Sequence, residues 1–385
     1  MTQIATSERA AIFRRQAEQF EASGSPIYAH LARRCASEPL VDELVDELRW
    51  DVPLRLFGGV HYLELAGVEP YALSGEWSDF RTALETQREF LARFVREQGV
   101  QTNEVQRCFA LLPAFLTLAR DHGASTLDLI ELGPAAGLNL LWDRYAYRYR
   151  AGLWGSSELL LHGVEYEPVP LEALARRVEV RRRLGIDLNP VDVTTQEGAR
   201  LLRAFIWPGR VERAQRLRQA IEILRGDPPT LVRGDYVELL PSVLAERDDE
   251  ALTVVFQTAS TGYIGAERRA QLRELLEAAG REGPLGWVST RAVEELEEED
   301  RDDSYELEVA LWPGGERRFL LRSDFHGNWI RWRGDGSRSG EGEGGNREVP
   351  PPGVLGAAEA NLEEEGGSGG KHGFPRGSEP EASDA

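Results

Sequence analysis

Lysine is almost missing from this 385-residue chain: Lys371 is the single one, and every other strong base is arginine. With no lysine before the C-terminal stretch there is no G-x-x-x-x-G-K-[ST] sequence, which excludes a P-loop nucleoside triphosphatase. The arginine-for-lysine usage reads as a GC-rich coding bias, typical of some bacteria, not as a functional signature. Cysteine is nearly as scarce. Cys35 and Cys108 form no C-x-x-C or other metal spacing, so they read as buried, reduced thiols. The six histidines are scattered and form no H-x-x-x-H pair, which leaves a dedicated metal site without support. No run of about 18 or more apolar residues is present, which argues against a transmembrane helix. The first twenty residues lack the apolar core of a secretory signal, so a soluble, cytoplasmic protein is expected. Positive charge is also in deficit. The net charge of −20 argues against a nucleic-acid-binding surface. Much of that charge lies in residues 294–303 and in the C-terminal tail, so the folded part is less acidic than the total.

What is present falls into three regions. Residues 1–122 read as mostly helical. Apolar periodicity predicts a helix over 78–98, with Phe80, Leu84, Leu91, Phe94 and Val95 on one face and Gly99 as a stop. A second helix is predicted over 105–120. Between earlier helices, Gly58-Gly59 reads as a helix-to-helix bend with His61 half buried, ahead of the alternative of a loop near a ligand. Residues 123–333 alternate strands and helices. Strands are predicted at 127–132, 158–166, 178–187, 229–233, 252–256 and 285–290. Two more, 305–311 and 317–321, are joined by the hairpin signal Trp312-Pro313-Gly314-Gly315. Thr194-x-x-Glu197 matches a capping box ahead of a helix at 199–207, and further helices are predicted to Arg225, at 238–244 and at 266–280. Such alternation implies a parallel sheet with right-handed crossovers. Residues 334–385 are rich in Gly, Glu, Ser and Pro. They cannot bury enough apolar area to offset an ordering cost of about 1–2 kcal/mol per residue, and disorder is expected there.

The chain is organised around residues 126–149, TLDLIELGPAAGLNLLWDRYAYRY. A short apolar run breaks at Gly133-Pro134-Ala135-Ala136-Gly137 and resumes with helical spacing at Leu138, Leu141 and Tyr145. Strand, small-residue loop and helix present a helix N-terminus to an anionic ligand group. Polar or small residues recur at four predicted strand ends: 131–137, 187–189, 234–236 and 257–260. In open α/β sheets ligands bind beyond those ends. The binding candidates are therefore Glu131, Gly133, Ala135, Gly137, Asn139, Asp187, Asp235 and Tyr236, with Asn139 either capping the helix or touching the ligand. After the fourth of these strand ends, Gln257, Thr258, Ser260 and Tyr263 could orient a hydroxyl or carboxylate substrate. His326 is the candidate general base by its pKa range. Trp142, Tyr145 and Tyr147 read as core.

Three segments resemble class I S-adenosylmethionine-dependent methyltransferases. ELGPAAG (131–137) is similar to their first motif, GIDLNP (185–190) to the end of their second strand, and RGDYVELLP (233–241) to their third-strand segment. The resemblance implies a Rossmann-like three-layer α/β/α sandwich with a mostly parallel sheet and a C-terminal antiparallel hairpin, plus the N-terminal helical region. It implies S-adenosylmethionine as cofactor and a small-molecule acceptor, with the N-terminal helices forming part of the substrate cavity. Glu131 would hold the methionine ammonium through water, and the helix N-terminus would meet the methionine carboxylate. Asp187 would accept the ribose hydroxyls, Asp235 would face the adenine amino group, and Tyr236 would pack by the ring. Two departures stand out. Ala135 replaces a glycine common in these enzymes, and Asp187 lies farther from Gly133 than the usual spacing of about 20 residues. An inserted strand or hairpin near 158–166 would explain the second. No Asn/Asp-Pro-Pro-Tyr segment follows the fourth strand, so amino-methylation has no support. More closely, the span from about Arg9 to Trp332 resembles a bacterial family regarded as methyltransferase-like, domain of unknown function 2332. That likeness rests on ELGPAAGLNLLWDRYAY, GIDLNP, VRGD and HGNWIRW. Two other classes compete. A nicotinamide-dependent oxidoreductase would need glycine at 133, 135 and 138, and Ala135 and Leu138 break that fingerprint. A non-catalytic binding protein that kept the fold would need no catalytic group after the fourth strand.

Overall fold

In the computed structural model, residues 3–45, 48–291 and 304–334 are described. The acidic run at 294–303 lies outside the described residues, as does all but the first residue of the tail 334–385 expected to be disordered. The chain begins with six helices: α1 (Gln3–Ala22), α2 (Pro26–Cys35), α3 (Pro39–Leu44), α4 (Val52–Leu65), α5 (Trp77–Thr86) and α6 (Arg88–Glu97). They share one core around Phe13, Phe20, Tyr28, Phe57 and Phe80. The single helix expected over 78–98 is two, broken at Gln87 (φ −109°, ψ 25°). The apolar stripe continues across the break because both helices press on that core. In contrast to the expected bend, α4 runs unbroken through Gly58 and Gly59. A Cβ on Gly58 would lie 2.7 Å from the Phe205 ring, and one on Gly59 would lie 3.0 Å from Leu91. The paired glycines allow close helix packing, and His61 beside them is half buried.

Helix α7 (Cys108–His122) belongs to a different core. Phe109, Leu112, Phe115 and Leu116 are fully buried against the sheet that follows. The strands are β1 (Thr126–Leu132), β2 (Ala146–Tyr149), β3 (Gly152–Trp154), β4 (Leu160–His162), β5 (Val164–Glu167), β6 (Glu179–Asp187), β7 (Thr230–Arg233), β8 (Leu252–Gln257), β9 (Leu285–Thr290), β10 (Ser304–Trp312), β11 (Arg317–Asp324) and β12 (Trp329–Trp332). Nine of them form one sheet in the order β5-β12-β11-β10-β9-β8-β1-β6-β7. The block β7-β6-β1-β8-β9 is parallel throughout. Counted along the chain, its order is 3-2-1-4-5, that of a doubly wound sheet. Strands β10 to β12 then run antiparallel.

Strands β8 and β9 are buried at every position, and β1 at all but its first, as expected for strands covered on both faces. Leu127, Leu129, Val254 and Phe256 face α7 and α10 (Val211–Gly226). Ile130, Leu132, Val255 and Trp287 face α11 (Tyr236–Leu244) and α12 (Ala266–Glu282). The result is a Rossmann-like three-layer α/β/α sandwich with a mostly parallel sheet, closed by antiparallel strands and preceded by a helical region.

The long spacing between Gly133 and Asp187 is occupied by a small second sheet, β3-β2-β4. The one strand expected at 158–166 is two, in different sheets, parted at Gly163. The capping residue of α9 (Gln196–Ala204) is Thr195, whose Oγ1 accepts from the Gly198 amide at 3.0 Å. Thr194, the expected cap, bonds to Asp192 instead. Among the described residues, no helix is long and apolar enough to cross a membrane, and no group of three or more His, Cys, Asp or Glu could hold a metal ion.

Candidate functional site

The chain leaves β1 for β6 and β7 on one side, then returns to β8 and β9 on the other. The switch point lies between β1 and β8, where such folds place ligands. Both non-glycine residues with left-handed backbone among the described residues flank this point: Ala135 (φ 53°) after β1 and Ala259 (φ 124°) after β8. Strain of this kind persists only where its surroundings enforce it. At Ala135 the enforcing group is Asp187. Its Oδ2 accepts the Ala135 amide at 2.9 Å, and its Oδ1 accepts the Asn189 amide at 2.8 Å. The loop is further stitched by Gly133 N to Ile186 O and Val191 N to Ala135 O, both 2.9 Å.

The segment after the loop differs from expectation. It is a seven-residue 3₁₀ turn, Leu138–Arg144, kinked at Leu141, not the α-helix that the spacing of Leu138, Leu141 and Tyr145 suggested. It therefore offers no long helix dipole for an anionic group. Buried tyrosines stabilise it from outside: Tyr145 Oη donates to Leu138 O and Tyr147 Oη to Trp142 O, each at 2.7 Å. Trp142, Tyr145 and Tyr147 are core, as read from the sequence. Asn103, just ahead of α7, accepts the Leu138 amide at 2.9 Å.

Two glycines serve packing. A Cβ on Gly137 would meet Pro229 at 2.8 Å, and one on Gly133 would sit 2.5 Å from the Ser260 Cβ. Ser260 itself donates to Leu132 O at 2.7 Å. The close approach that Gly133 permits is thus made by this chain's own β8 loop. Gly185 belongs to the same set: its added Cβ would meet Pro134 at 2.6 Å and Leu231 at 2.8 Å.

Glu131 is the most unusual group here. It is the next-to-last residue of β1, on the α7 side, is 1% exposed, and its Oε2 has no hydrogen-bond partner. Oε1 receives only a long bond, 3.5 Å, from Asn139 Nδ2. The Asn139 Oδ1 in turn accepts from the Cys108 thiol at 3.3 Å. Asn139 therefore neither caps the turn nor lies exposed. Burial first, with Asp187 adding repulsion, pushes the Glu131 carboxyl up to about 8, while Asn139 and Arg107 pull the other way. Cys35 and Cys108 are buried and reduced.

The remaining predicted site residues are placed as follows. Asp235 caps α11 through the Val237 amide (2.8 Å) and is ion-paired with Arg268, so it does not present a bare carboxylate. Tyr236 is buried and reaches across to Ser260 O at 3.4 Å; burial pushes its hydroxyl up to about 12. Gln257, read as a substrate-orienting candidate, is a brace. Its amide donates to Ser289 Oγ (2.7 Å) and Thr290 O (2.8 Å) and accepts from Ala259 N (2.7 Å). Tyr263, its companion candidate, is 71% exposed and faces solvent. His326 lies in the turn before β12, apart from Asp187 and Asp235. Desolvation, then the charge of Arg213, push its imidazole down to about 4. Arg107 and Arg210 add to this and Glu104 opposes it. The residue is nevertheless exposed to solvent, which weakens that desolvation.

Sequence reasoning missed Arg107. Its Nε donates to Phe325 O at 2.8 Å and its Nη1 to Thr258 O at 3.0 Å, tying the β8 end to the loop before β12. No motif marks it. Gly185, a glycine inside a strand, was a readable signal of close approach. A cleft of about 470 Å³ lies beside the site. Tyr62 and Phe94 line it from the helical region, and Asn189, Pro190 and Arg233 from the sheet.

These features define a Rossmann-like α/β protein with a buried, incompletely bonded carboxyl at its topological switch point. Residues 10–332 match the family described as an uncharacterized protein conserved in bacteria, DUF2332, and the chain belongs to it. No curated protein and no solved structure matches the chain.

Proposed function

We propose that this protein binds S-adenosylmethionine beyond the carboxyl ends of β1 and β6 and is a methyltransferase-like protein acting on a small-molecule acceptor. The observation that carries this reading is Glu131. A carboxyl buried at the switch point with an orphaned oxygen is costly, and a cationic ammonium is the group that would satisfy it. Asp187 supports the reading in part, because each oxygen keeps a second lone pair for a ribose hydroxyl. Asp235 does not fit its implied role, being committed to Arg268 and to the α11 cap. Tyr236 offers a ring edge beside the crevice. The bound cofactor would supply an electrophilic methyl group. The chain's own part would be alignment and exclusion of water, which can provide much of a methyl-transfer rate without a strong base.

Calorimetric titration of the full chain with S-adenosylmethionine tests this. Saturable binding at one site is expected, weakened at least tenfold in Glu131→Gln. Absence of heat at millimolar cofactor, in wild type, would sink it. A second reading, a binding protein without turnover, is favoured by Gln257 being a brace and Tyr263 facing solvent. Tight cofactor binding with no labelled methyl transferred to a host small-molecule extract would select it. Saturable NADH binding would instead revive the oxidoreductase reading.

A further inference from the structure

We infer that the cleft between α6 and the end of β6 is the base subsite of the cofactor site, an aromatic-walled, charge-balanced slot for a neutral adenine ring. The inference rests on the reading of S-adenosylmethionine given above. Helix α6 carries two faces. Leu91 and Val95 press into the core of the helical region. Phe90, Arg93, Phe94, Glu97 and Gln98, spaced as a further helix face, all line the cleft. Tyr62 of α4 joins them. The paired glycines bring it there: Gly58 lies one turn before Tyr62 and packs on Phe205, and Gly59 packs on Leu91 and Phe94. Tyr62 and Phe90 are half-buried, with ring centroids 6.0 Å apart and planes inclined by 23°. Phe94 lies 5.6 Å from Phe90. The cleft volume, about 470 Å³, falls in the range of about 300–1,000 Å³ usual for small-molecule sites. Rings grouped on one wall favour a planar aromatic occupant.

The opposite wall supplies edge contacts. Gln101 Nε2 donates to Asn189 O at 3.4 Å, and Asn189 Oδ1 accepts from Arg233 Nη1 at 2.8 Å. Among the described residues, these bonds leave the Gln101 side-chain carbonyl and the Asn189 side-chain amino group for a ligand. An acceptor thus stands beside a donor. The adenine edge is the complement, an amino donor next to a ring-nitrogen acceptor. Charge narrows the choice further. Arg93 and Arg233 line the cleft with Glu97, Asp192 and Glu197, and Arg200 lies over the Tyr62 ring, 5.3 Å from its centroid. These three positive and three negative groups leave no excess to hold a phosphate. The slot suits a nucleoside and not a dinucleotide.

The order of the subsites follows the sheet. Glu131 on β1 and Asp187 on β6 end neighbouring strands. Asp187 Oδ1 accepts the Asn189 amide, so the cleft begins two residues past the acid assigned to the ribose. Ammonium at Glu131, ribose at Asp187 and base in the cleft follow the order of the cofactor's own bonds. The base is bonded directly to the ribose and must lie close to Asp187. Asp235, the group first implied for it, is committed to Arg268 and the α11 cap. The cleft offers uncommitted contacts in its place.

The test titrates the full chain by calorimetry with adenosine, ribose, adenosine monophosphate and 2-naphthol, each alone and without S-adenosylmethionine. Saturable adenosine binding at millimolar concentration or below is expected, with no heat from ribose and no tighter binding of the monophosphate. Tyr62→Leu and Phe90→Leu keep an apolar side chain and lose the ring. Each should weaken adenosine about tenfold, the order of one lost base–aromatic stack, while melting temperature stays close to wild type. Gln101→Ala, outside every helix, should do the same and serves if a ring variant fails to fold. Absent adenosine binding, or binding unchanged in the folded variants, would overturn the subsite. So would saturable 2-naphthol binding with none of adenosine, which would make the cleft an acceptor pocket. S-adenosylmethionine is then titrated into the same proteins. Binding that is equal in wild type and variants leaves the cofactor reading standing and removes the subsite. Adenosine binding that depends on these residues, with no S-adenosylmethionine binding, keeps the base slot and removes the cofactor reading.

Discussion

At pH 7 the Glu131 carboxyl, raised to about 8, holds its proton. An ammonium placed against it favours the ionised form, so cofactor binding should expel close to one proton. Calorimetry in phosphate and in Tris, which differ in ionisation heat, should give different apparent enthalpies in wild type and equal ones in Glu131→Gln. Equal enthalpies in wild type would mean that no ammonium reaches this carboxyl. A second single-residue expectation concerns Gly185. Its Cβ would meet the Pro134 ring, which cannot rotate away, and Leu231. Gly185→Ala should lower stability by about 1–3 kcal/mol, the range for overpacking, as read by urea denaturation. The acids were legible in the sequence because an acid before a small-residue loop has few other readings. What they touch was not. That Asp235 is taken by Arg268, and that Gln257 braces Ser289 and Thr290, depends on side chains from α12 and β9 that no local pattern connects.

At the scale of elements, the loop after β1 is held from β6. Two amides bond to Asp187, and together they keep Ala135 left-handed. Hydrogen bonds to charged acceptors contribute about 1.5–3 kcal/mol each. Asp187→Ala should therefore cost about 3 kcal/mol, and Asp187→Asn, with one acceptor kept, about half that. Denaturation midpoints check the ranking. A neutral Asp187→Ala would show that the loop holds its shape alone. Strands such as β8, with a β-branched buried run, were readable from composition. The turn at Leu138–Arg144 was not, because leucines three apart fit a 3₁₀ turn as well as an α-helix, and buried tyrosine hydroxyls decide between them. The break at Gln87 was hidden because the apolar stripe keeps its phase across it. Strands β5 and β12 pair across 161 intervening residues, and neither carries a pattern that names its partner.

The whole molecule joins titrating groups that pull stability in opposite directions with pH. Glu131 has its native value raised to about 8 from an ordinary 4.5. Its contribution is complete below 4.5. Between the two values the native state holds a proton that the unfolded state has lost, so stability falls as pH rises, by about 1.4 kcal/mol per unit. His61 and His326 are both lowered to about 4 from 6.5, chiefly by desolvation, and the share of the exposed His326 is reduced by solvent screening. Between those values the unfolded state binds the extra protons, so stability rises with pH and then levels above 6.5. The opposing windows overlap from 4.5 to 6.5 and partly cancel there. Above 6.5 Glu131 acts alone among the three. From pH 6.5 to 8 wild type should therefore lose about 2 kcal/mol relative to Glu131→Gln. The variant removes only this titration, so other groups drop out of the difference. Urea denaturation of both proteins at half-unit steps measures it. Parallel profiles would mean that Glu131 ionises like an exposed acid. The buried, orphaned oxygen would then already be satisfied within the free protein, and no ligand cation would be needed to satisfy it.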